Sequence, residues 1–478
     1  MAAPAKKPHL VFFPFPAQGH ITPAFQLATL LHRRHGFDVT FVHTEHNRRR
    51  ILRVRGPGAL ADPAPGFRFA AVPDGLPPAS DEDAAQDMAA LHFALPTVAT
   101  HLKKLVLSDE LPAAASCCLV SDVDPILRAA EEIGMPRVTF WTTSSTSFMA
   151  MQQCRDLVAK GLVPLKDAEQ LRNGYMDSTV VDGMPGLPKG MRLRDFPSFI
   201  RTADPDDAVL ALTLSSMECH RTVPSAVIFH TFDELESHAI TAMSHILPPI
   251  YAVGPLPLLL SHASAGAGDP APAADTSSLS REDRACLDWL DGKRPNSVVF
   301  AGFGSIVKLS DQQLAELAWG LAYIALTSDN QQAAAAAAAG RGFVTSWCPQ
   351  EAVLRHAAVG AFLTHCGWNS MLEGLRAGVP LLCCPFAADQ QTNSRMACVE
   401  WRVGVEVGED PTREEVAAAI REVMGSGERG EELRRAAAEW KEKATVAARP
   451  GGSSWVNLER VVNEVLCPSD GRDKNLMM

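Results

Sequence analysis

The 478-residue sequence lacks the features of several large protein classes. Positive charge is in deficit, because 44 Lys and Arg stand against 55 Asp and Glu and the formal net charge at pH 7 is −11. This balance disfavours a broad electrostatic interface with nucleic acid or with an anionic membrane surface. No apolar run has the roughly 18 residues of a membrane-spanning helix, and the run after the N-terminal lysines is short and interrupted by Pro14 and Pro16, unlike a signal peptide. We therefore expect a cytoplasmic protein without an integral membrane segment.

The cysteines lack the spacing of a disulfide framework or a metal site. There are 11 of them, an odd number, and none forms a C-x-x-C motif. Two adjacent pairs, Cys117-Cys118 and Cys383-Cys384, do not bridge easily. This usage predicts buried, reduced thiols.

Strands and helices alternate along the first half of the chain. At about 150 residues per domain the length predicts two or three domains. Short apolar runs, typical of buried parallel strands, are followed by turns and by segments with helical spacing, which predicts a doubly wound α/β sheet. The predicted strands of this half are 9–15, 37–43, 115–121, 137–141 and 250–256, with helices over 21–32 and 126–133.

The second half repeats the same logic after a segment rich in Gly, Pro and Ser at 261–280. Strands are predicted at 297–301, 361–364 and 380–384, and capping boxes begin helices at Ser310 and Thr412. We expect a Rossmann-like domain over 1–256, a linker over 257–280, a second Rossmann-like domain over 281–455, and a C-terminal helix or tail over 456–478 that could pack back on the first domain. Two such domains are expected to face each other across a cleft, with ligands beyond the carboxyl ends of the strands.

The segment 347–390 holds the densest group of chemically active side chains. His365 follows a predicted strand, and Asn369 and Ser370 fall in the first turn of the helix after it. The free N–H groups and positive dipole of a helix N-terminus suit a phosphate, and these three side chains can add donors. The pattern therefore predicts a pyrophosphate site.

Side chains on either side of this turn suit the other parts of a nucleotide sugar. Glu373 lies one helical turn beyond Asn369, where a carboxylate can accept from the two hydroxyls of a ribose. Trp347, next to Cys348, offers a flat face for a base, and Gln350 can reach the ribose or the base edge. Further candidates are Ser305, in the tight turn 302–305, and the pair Asp389 and Gln390, whose polar groups suit sugar hydroxyls.

Each of these side chains also has an ordinary structural explanation. Taken singly, a Trp in a loop is more typical of packing, Asn-Ser at a helix start is more typical of a cap, and Asp-Gln in a turn more often meets water. Their order along one strand, turn and helix favours the nucleotide site.

The same segment resembles the signature box of plant family 1 UDP-dependent glycosyltransferases, the secondary-product enzymes. Trp347 begins it and Gln390 ends it, and the motif HCGWNS stands at 365–370. The segments 14–20, 73–77 and 229–235 also look like motifs of this family. Among its branches, the sequence is most similar to the one that contains cyanohydrin and steviol glucosyltransferases.

The resemblance implies the GT-B fold, an acceptor-binding N-terminal domain and a UDP-sugar-binding C-terminal domain. It implies that Trp347 stacks on uracil, that Glu373 binds the ribose, and that His365 and Ser370 bind the pyrophosphate. The sugar contacts would come from Trp368, Asp389 and Gln390, and the terminal Gln is similar to that of glucose users. UDP-glucose is then the donor substrate, a small aglycone is the acceptor, and no cofactor or metal is expected. We further expect a monomer.

A candidate base comes from the first half. His20 follows the first strand, and Asp122 ends the strand 115–121, so neighbouring strand ends bring the two within reach. A neutral imidazole can take a hydroxyl proton while the carboxylate holds its tautomer. From spacing alone, a structural role for His20 is equally plausible, whereas the resemblance implies that His20 and Asp122 are the catalytic pair. It also implies inversion, giving β-glucosides of small lipophilic alcohols or phenols.

Other interpretations remain open at this stage. Asp-x-Asp patterns at 122–124 and 81–83 are weak matches to a Mn²⁺ site, and the absence of G-x-G-x-x-G between strand and helix disfavours a nicotinamide-dependent enzyme. The segment 323–346 is short compared with the family, which leaves an alternative in which the chain binds a UDP-sugar without turning it over; residues 323–327 could supply the missing strand. The segments 141–148 and 194–199 either line an acceptor pocket or serve as packing and turn residues.

Overall fold

The computed structural model describes residues 7–62, 64–77, 86–264, 278–323 and 342–468. These residues group into two compact units. Unit 1 comprises residues 1–142, 215–280 and 446–478, and unit 2 comprises residues 143–214 and 281–445. Each unit contains one parallel sheet, so the prediction of two parallel α/β halves is confirmed. The boundaries at 256, 280 and 455 stay predictions.

Unit 1 is built on a seven-stranded sheet in the order β3-β2-β1-β4-β5-β6-β7, with every neighbouring pair parallel. The interior strand β1 places Phe12 between Phe41 and Val120 of its two neighbours. The strands of this sheet are β1 His9–Phe12, β2 Val39–Thr44, β3 Phe67–Val72, β4 Cys117–Ser121, β5 Arg137–Trp141, β6 Val227–Phe229 and β7 Ile250–Ala252.

Unit 2 contains a four-stranded parallel sheet in the order β11-β10-β9-β8. Its strands are β8 Val298–Gly302, β9 Val359–Thr364, β10 Leu381–Cys383 and β11 Gly404–Glu406. All six residues of β9 are buried, whereas all five of β8, an edge strand among the described residues, are only half-buried. Residues 324–327 of the proposed substitute strand and the alanine tract lie outside the described residues.

Helices connect successive strands, as expected for parallel crossovers, and further helices follow the last strand, β11. In chain order they are α1 Gln18–His35, α2 Glu45–Arg55, α3 Met88–Val106, α4 Asp124–Glu132, α5 Ser145–Gln152, α6 Cys154–Ala159, α7 Tyr175–Ser178, α8 Ala208–Thr222, α9 Asp233–Met243, α10 Leu256–Ser264, α11 Ala285–Asp291, α12 Asp311–Tyr323, α13 Gln350–Leu354, α14 Trp368–Ala377, α15 Gln390–Arg395, α16 Arg413–Met424, α17 Glu428–Ala448 and α18 Ser453–Arg460.

Apolar side chains cover both faces of the unit 1 sheet. Leu10 and Phe12 of β1 belong to a buried cluster that includes Leu27 of α1 and Leu458 of α18. Their neighbour Val11 points into a second cluster on the opposite face. Burial on both faces explains why continuous apolar runs, rather than alternating ones, marked these strands in the sequence.

Both predicted capping boxes are confirmed. The side chain of Ser310 accepts from the backbone N–H of Gln313, while the Gln313 side chain accepts from the backbone N–H of Ser310. Thr412 and Glu415 form the same reciprocal pair at the start of α16.

The segment predicted as a linker is partly helical. Its Leu-rich start folds as α10, and residues 265–277 lie outside the described residues. Beyond them, Leu279 is buried in the core of unit 1 and its backbone N–H donates to Oε1 of Gln18 at 2.5 Å. The chain is therefore packed against unit 1 at residue 279, directly before unit 2 resumes at residue 281.

All eleven cysteines are free thiols, and eight of them are buried, as predicted. In the part of the chain that the structure describes, every helix is too short or too polar to cross a bilayer.

Candidate active site

In unit 1, His20 and Asp122 lie at the carboxyl ends of adjacent strands. His20 stands in the first turn of α1, after β1, and Asp122 directly follows β4. Their side chains meet with Nδ1 of His20 2.5 Å from Oδ2 of Asp122. The structure therefore brings together the two residues that sequence analysis proposed as a base and its carboxylate partner.

Two further groups hold the Asp122 carboxylate in place. Its Oδ1 accepts the backbone N–H of Phe15 at 2.7 Å, and its Oδ2 accepts the hydroxyl of Thr142 at 3.3 Å. The Asp122 side chain is 3% exposed, whereas that of His20 is 29% exposed. Because Nδ1 faces the carboxylate, Nε2 is the ring nitrogen left for a proton acceptor role.

Thr142 is a member of this cluster that sequence analysis placed elsewhere. Its Oγ1 lies 2.9 Å from Nδ1 of His20, and it follows β5, the strand that pairs with β4. From the sequence, Thr142 belongs only to the segment 141–148, which could line the acceptor pocket. Its position after the strand next to β4 is the signal that predicts the contact.

In unit 2, the turn after β9 leads into the N-terminus of α14, as predicted. His365 and Cys366 make the turn, with Cys366 in the left-handed region at φ 65°, and Gly367 caps the helix. A helix N-terminus directs its first backbone N–H groups towards the preceding turn, and this is the property that suits a phosphate.

The imidazole of His365 is packed between two glycines. A Cβ atom built on Gly304 would lie 2.6 Å from its Nε2, and one built on Gly367 would lie 2.3 Å from the same atom. Burial lowers the pKa of His365 to about 4, so the ring is neutral near pH 7. Its Nδ1 is buried and has no hydrogen-bond partner among the described residues. Ser305, in the turn beside Gly304, is exposed.

A polar cluster lies one turn further along α14. Nε2 of Gln350 donates to Oγ of Ser370 at 2.9 Å and to Oε2 of Glu373 at 2.8 Å. Burial of the Glu373 carboxyl group raises its pKa to about 7, although the amide of Gln350 and the charge of Arg376 oppose this shift. A carboxyl group so poised can accept hydroxyl donors when it is ionised.

The remaining box residues differ in how well they suit a ligand contact. Trp347 is half-buried, and its carbonyl accepts the backbone N–H of Asp283 at 2.8 Å. Burial raises the pKa of the neighbouring Cys348 thiol to about 12, which keeps it neutral. Trp368 is only 3% exposed and packs on Trp401 with ring centres 6.1 Å apart. Because the ring of Trp368 is buried, a contact of this residue with a sugar would be made by its backbone N–H and not by its ring.

Asp389 and Gln390 lie where the loop after β10 enters α15, and each is 8% exposed. Oε1 of Gln390 accepts the backbone N–H groups of Phe386 and Ala387 at 2.8 and 3.1 Å. Nδ2 of Asn393 donates to Oδ2 of Asp389 at 2.8 Å. These bonds fix the orientation of the Gln390 amide, so that its NH₂ group is the one left to meet a ligand.

The two segments that could line an acceptor pocket, 141–148 and 194–199, mainly contribute to packing and turns. Residues 144–148 are buried, and Ser144 caps α5 by accepting the backbone N–H of Ser147. In the second segment Phe196 is fully buried, and Arg194 pairs with Asp177. The packing and turn interpretation therefore describes most of these two segments.

The acidic patterns gain no support as metal sites. Asp122 is already bound by His20 and a backbone N–H, and residues 81–83 lie outside the described residues. Within the described ranges, no group of three or more His, Cys, Asp and Glu side chains has the arrangement of a metal site.

An imidazole–carboxylate pair suits removal of a proton from a hydroxyl, and a helix N-terminus beside a neutral imidazole and a carboxamide–carboxylate pair suits a nucleotide diphosphate. Glycosyl transfer from a nucleotide sugar can use both kinds of group. Comparisons with known proteins point to the same class of enzyme. The family model described as UDP-glucoronosyl and UDP-glucosyl transferase matches residues 220–435.

Two characterised plant proteins match almost from end to end. UDP-glycosyltransferase 85A1 of Arabidopsis thaliana is 44% identical over 98% of this chain and 98% of its own length. (R)-mandelonitrile beta-glucosyltransferase of Prunus dulcis is 44% identical over 97% of this chain and 98% of its own length. The chain therefore belongs to the plant family 1 UDP-glycosyltransferases, and it is a hexosyltransferase of that family.

A solved structure from the same group has the same fold. The crystal structure of Os79 from O. sativa in complex with UDP aligns with a TM-score of 0.76 at 28% identity, covering 96% of this chain and all of the other. The predicted GT-B fold is thereby confirmed.

Proposed function

We propose that this enzyme transfers glucose from UDP-glucose to a hydroxyl group of a small lipophilic alcohol or phenol, with inversion at the anomeric carbon. The observation that carries the proposal is the contact of His20 Nδ1 with Asp122 Oδ2, because it leaves Nε2 as a base. Full-length similarity to a glucosyltransferase that acts on mandelonitrile supports the choice of donor and of acceptor class.

The donor would be held by unit 2. The N-terminus of α14, the neutral His365 and Ser370 would bind the pyrophosphate, and Glu373 with Gln350 would bind the ribose. Trp347 would stack on uracil, and Asp389 and Gln390 would bind the glucose hydroxyls. As the glycosidic bond breaks, negative charge grows on the diphosphate, and preorganised N–H donors at a helix terminus stabilise such charge. We propose that these donors serve without a metal ion.

The acceptor would be activated by unit 1. Nε2 of His20 takes the hydroxyl proton as the acceptor oxygen bonds to the anomeric carbon, and the bonding pair of the old C–O bond leaves with UDP. The proton then resides on the imidazole, whose positive charge the Asp122 carboxylate stabilises. Attack from the face opposite UDP converts the α-linked donor into a β-glucoside. We further propose that the enzyme acts as a monomer.

The test is a mass-spectrometric screen of aglycones with UDP-glucose, with mandelonitrile in the panel. A product heavier by one hexose, with a β-anomeric proton in its NMR spectrum, supports the proposal. An α-anomer contradicts inversion, and activity lost with chelator and restored by Mn²⁺ contradicts metal independence. UDP binding in calorimetry without any product across the panel supports the alternative of a binder, which the short segment 323–346 suggested.

A further inference from the structure

We propose that Ser198 is a positioning residue for the loop that carries Asp389 and Gln390, and so controls how the enzyme holds the sugar of its donor. This inference rests on the proposed function, which assigns the glucose contacts to those two residues. The loop spans 384–389, between β10 and α15, and Gln390 is the first residue of α15; the loop, Gln390 and Ser198 all belong to unit 2.

The loop contains a residue in an unfavourable conformation. Ala388, directly before Asp389, has a φ of +57°, in the left-handed region that non-glycine residues seldom adopt. Such a conformation persists where surrounding bonds hold it. A small rotation of the backbone at this point would displace the Asp389 carboxylate.

Ser198 supplies the bonds that hold Ala388. Its backbone N–H donates to the carbonyl of Ala388 at 2.8 Å, and its Oγ accepts the N–H of Ala388 at 2.7 Å. One residue therefore bonds both polar backbone groups of Ala388. Four residues further along, the hydroxyl of Thr392 donates to the carbonyl of Asp195 at 2.8 Å. The segment 195–198 thus bonds the chain on both sides of Asp389 and Gln390.

The bracing segment is itself fixed. Arg192 bonds both carboxylate oxygens of Asp195, at 2.9 and 3.1 Å. Arg201 makes a bidentate pair with Glu409 at 2.7 and 2.6 Å. Bidentate guanidinium–carboxylate pairs restrict orientation as well as distance. The hydrogen bonds from Ser198 therefore hold the loop in a defined position.

A change at Ser198 should affect contacts to the sugar and leave contacts to UDP unchanged. Gln350 is hydrogen-bonded to Ser370 and Glu373, whereas Ala388 is bonded directly to Ser198. We expect Ser198→Ala to raise the KM for UDP-glucose about fivefold, the factor that one lost hydrogen bond of typical net strength carries. The Kd for UDP should stay within about twofold, and the preference for UDP-glucose over UDP-galactose should fall.

The experiment compares Ser198→Ala with two control variants. Ser198→Thr keeps a hydroxyl at position 198, and Ser178→Ala removes one elsewhere in unit 2. Ser178 is an exposed serine of the same unit whose Oγ donates to the carbonyl of Gly174 at 2.9 Å. Melting temperature, the Kd for UDP, and KM and kcat for both UDP-sugars are measured for each purified protein. Ser198→Thr and Ser178→Ala should behave as wild type.

Unchanged KM and donor preference in folded Ser198→Ala would overturn the inference, as would an equal loss of affinity for UDP and for UDP-glucose. If Ser198→Ala does not fold, Ser198→Cys, a weaker acceptor of similar size, takes its place with the same expected direction. Failure of the proposed function would look different, because wild type would then form no glucoside.

Discussion

Asp122 uses its two carboxylate oxygens for two different purposes. Oδ2 lies 2.5 Å from Nδ1 of His20, and Oδ1 accepts the backbone N–H of Phe15 at 2.7 Å. The second bond leaves the carboxylate little freedom to rotate, so the imidazole is presented in one tautomer, with its proton on Nδ1 and its lone pair on Nε2.

Replacing Asp122 by Asn should therefore reverse that tautomer. If the Asn carbonyl keeps the N–H of Phe15, its NH₂ group faces Nδ1 of His20, which must then accept, and the proton moves to Nε2. We expect kcat to fall by about 10²–10⁴-fold, the range of general base catalysis, with little change in the Kd for UDP. Steady-state kinetics and calorimetry check this expectation. Asp109→Asn, at an exposed position of the same unit, serves as the control; a kcat of Asp122→Asn equal to that of this control would contradict the tautomer account.

Gly367→Ala should weaken donor binding by moving His365. The backbone of Gly367 has φ −62° and ψ 140°, which alanine adopts without strain, but the new Cβ would lie 2.3 Å from the imidazole. We expect the KM for UDP-glucose to rise at least about tenfold, as for the loss of one hydrogen bond to a charged group. Gly427→Ala is a matched control, because Gly427 also directly precedes a helix, α17, and has no atom within 4 Å of the corresponding position. Equal KM values for the two variants would contradict a role for His365 in donor binding.

The affinity for UDP-glucose should depend on pH through Glu373. The pKa of this group is about 7, and ribose hydroxyls favour its ionised form, so affinity should rise between pH 6 and 8 by about tenfold for a group with that pKa. UDP-glucose is the ligand to use because each of its phosphates carries one ester and one anhydride bond and so has no ionisation near pH 7, whereas the terminal phosphate of UDP titrates nearby. His365, with a pKa of about 4, stays neutral throughout this range. Calorimetry at several pH values checks the slope, and Glu373→Gln should abolish it; a slope that persists in that variant assigns the titration to another group.

The free energy of unfolding should also depend on pH through Glu373, and the raised pKa determines the sign of that dependence. Its pKa is raised from 4.5 to about 7 in the folded protein, so the folded state binds more protons than the unfolded state between those values. The contribution of Glu373 to the free energy of unfolding is thus fully present below pH 4.5 and is lost as the pH rises towards 7. Denaturant titration of wild type and Glu373→Gln should show this difference over that window; parallel curves would contradict the raised pKa.

Much of the fold could be predicted from the sequence because parallel strands are buried on both faces. That environment requires continuous apolar runs, and β1 with the residues that follow it is such a run. The strands that were missed are β3, whose four middle residues are only half-buried, and the three-residue strands β6 and β11.

The proposed donor site could be predicted from the sequence where its residues lie close together along the chain. His365 and Ser370 share one turn and one helix start, so their spacing alone places them together. The bond between Ser198 and Ala388 joins two irregular segments 190 positions apart, and such segments have no periodicity from which a contact can be read. Asn393 had a usable signal, since it lies four positions after Asp389, the spacing at which side chains of a helix meet.

The most direct test of the catalytic account is His20→Ala, assayed with UDP-glucose and an acceptor from the screen. We predict that the Kd for UDP stays at its wild-type value while kcat falls by about 10²–10⁴-fold. Turnover close to that of wild type, with UDP binding intact, would contradict the assignment of His20 as the base.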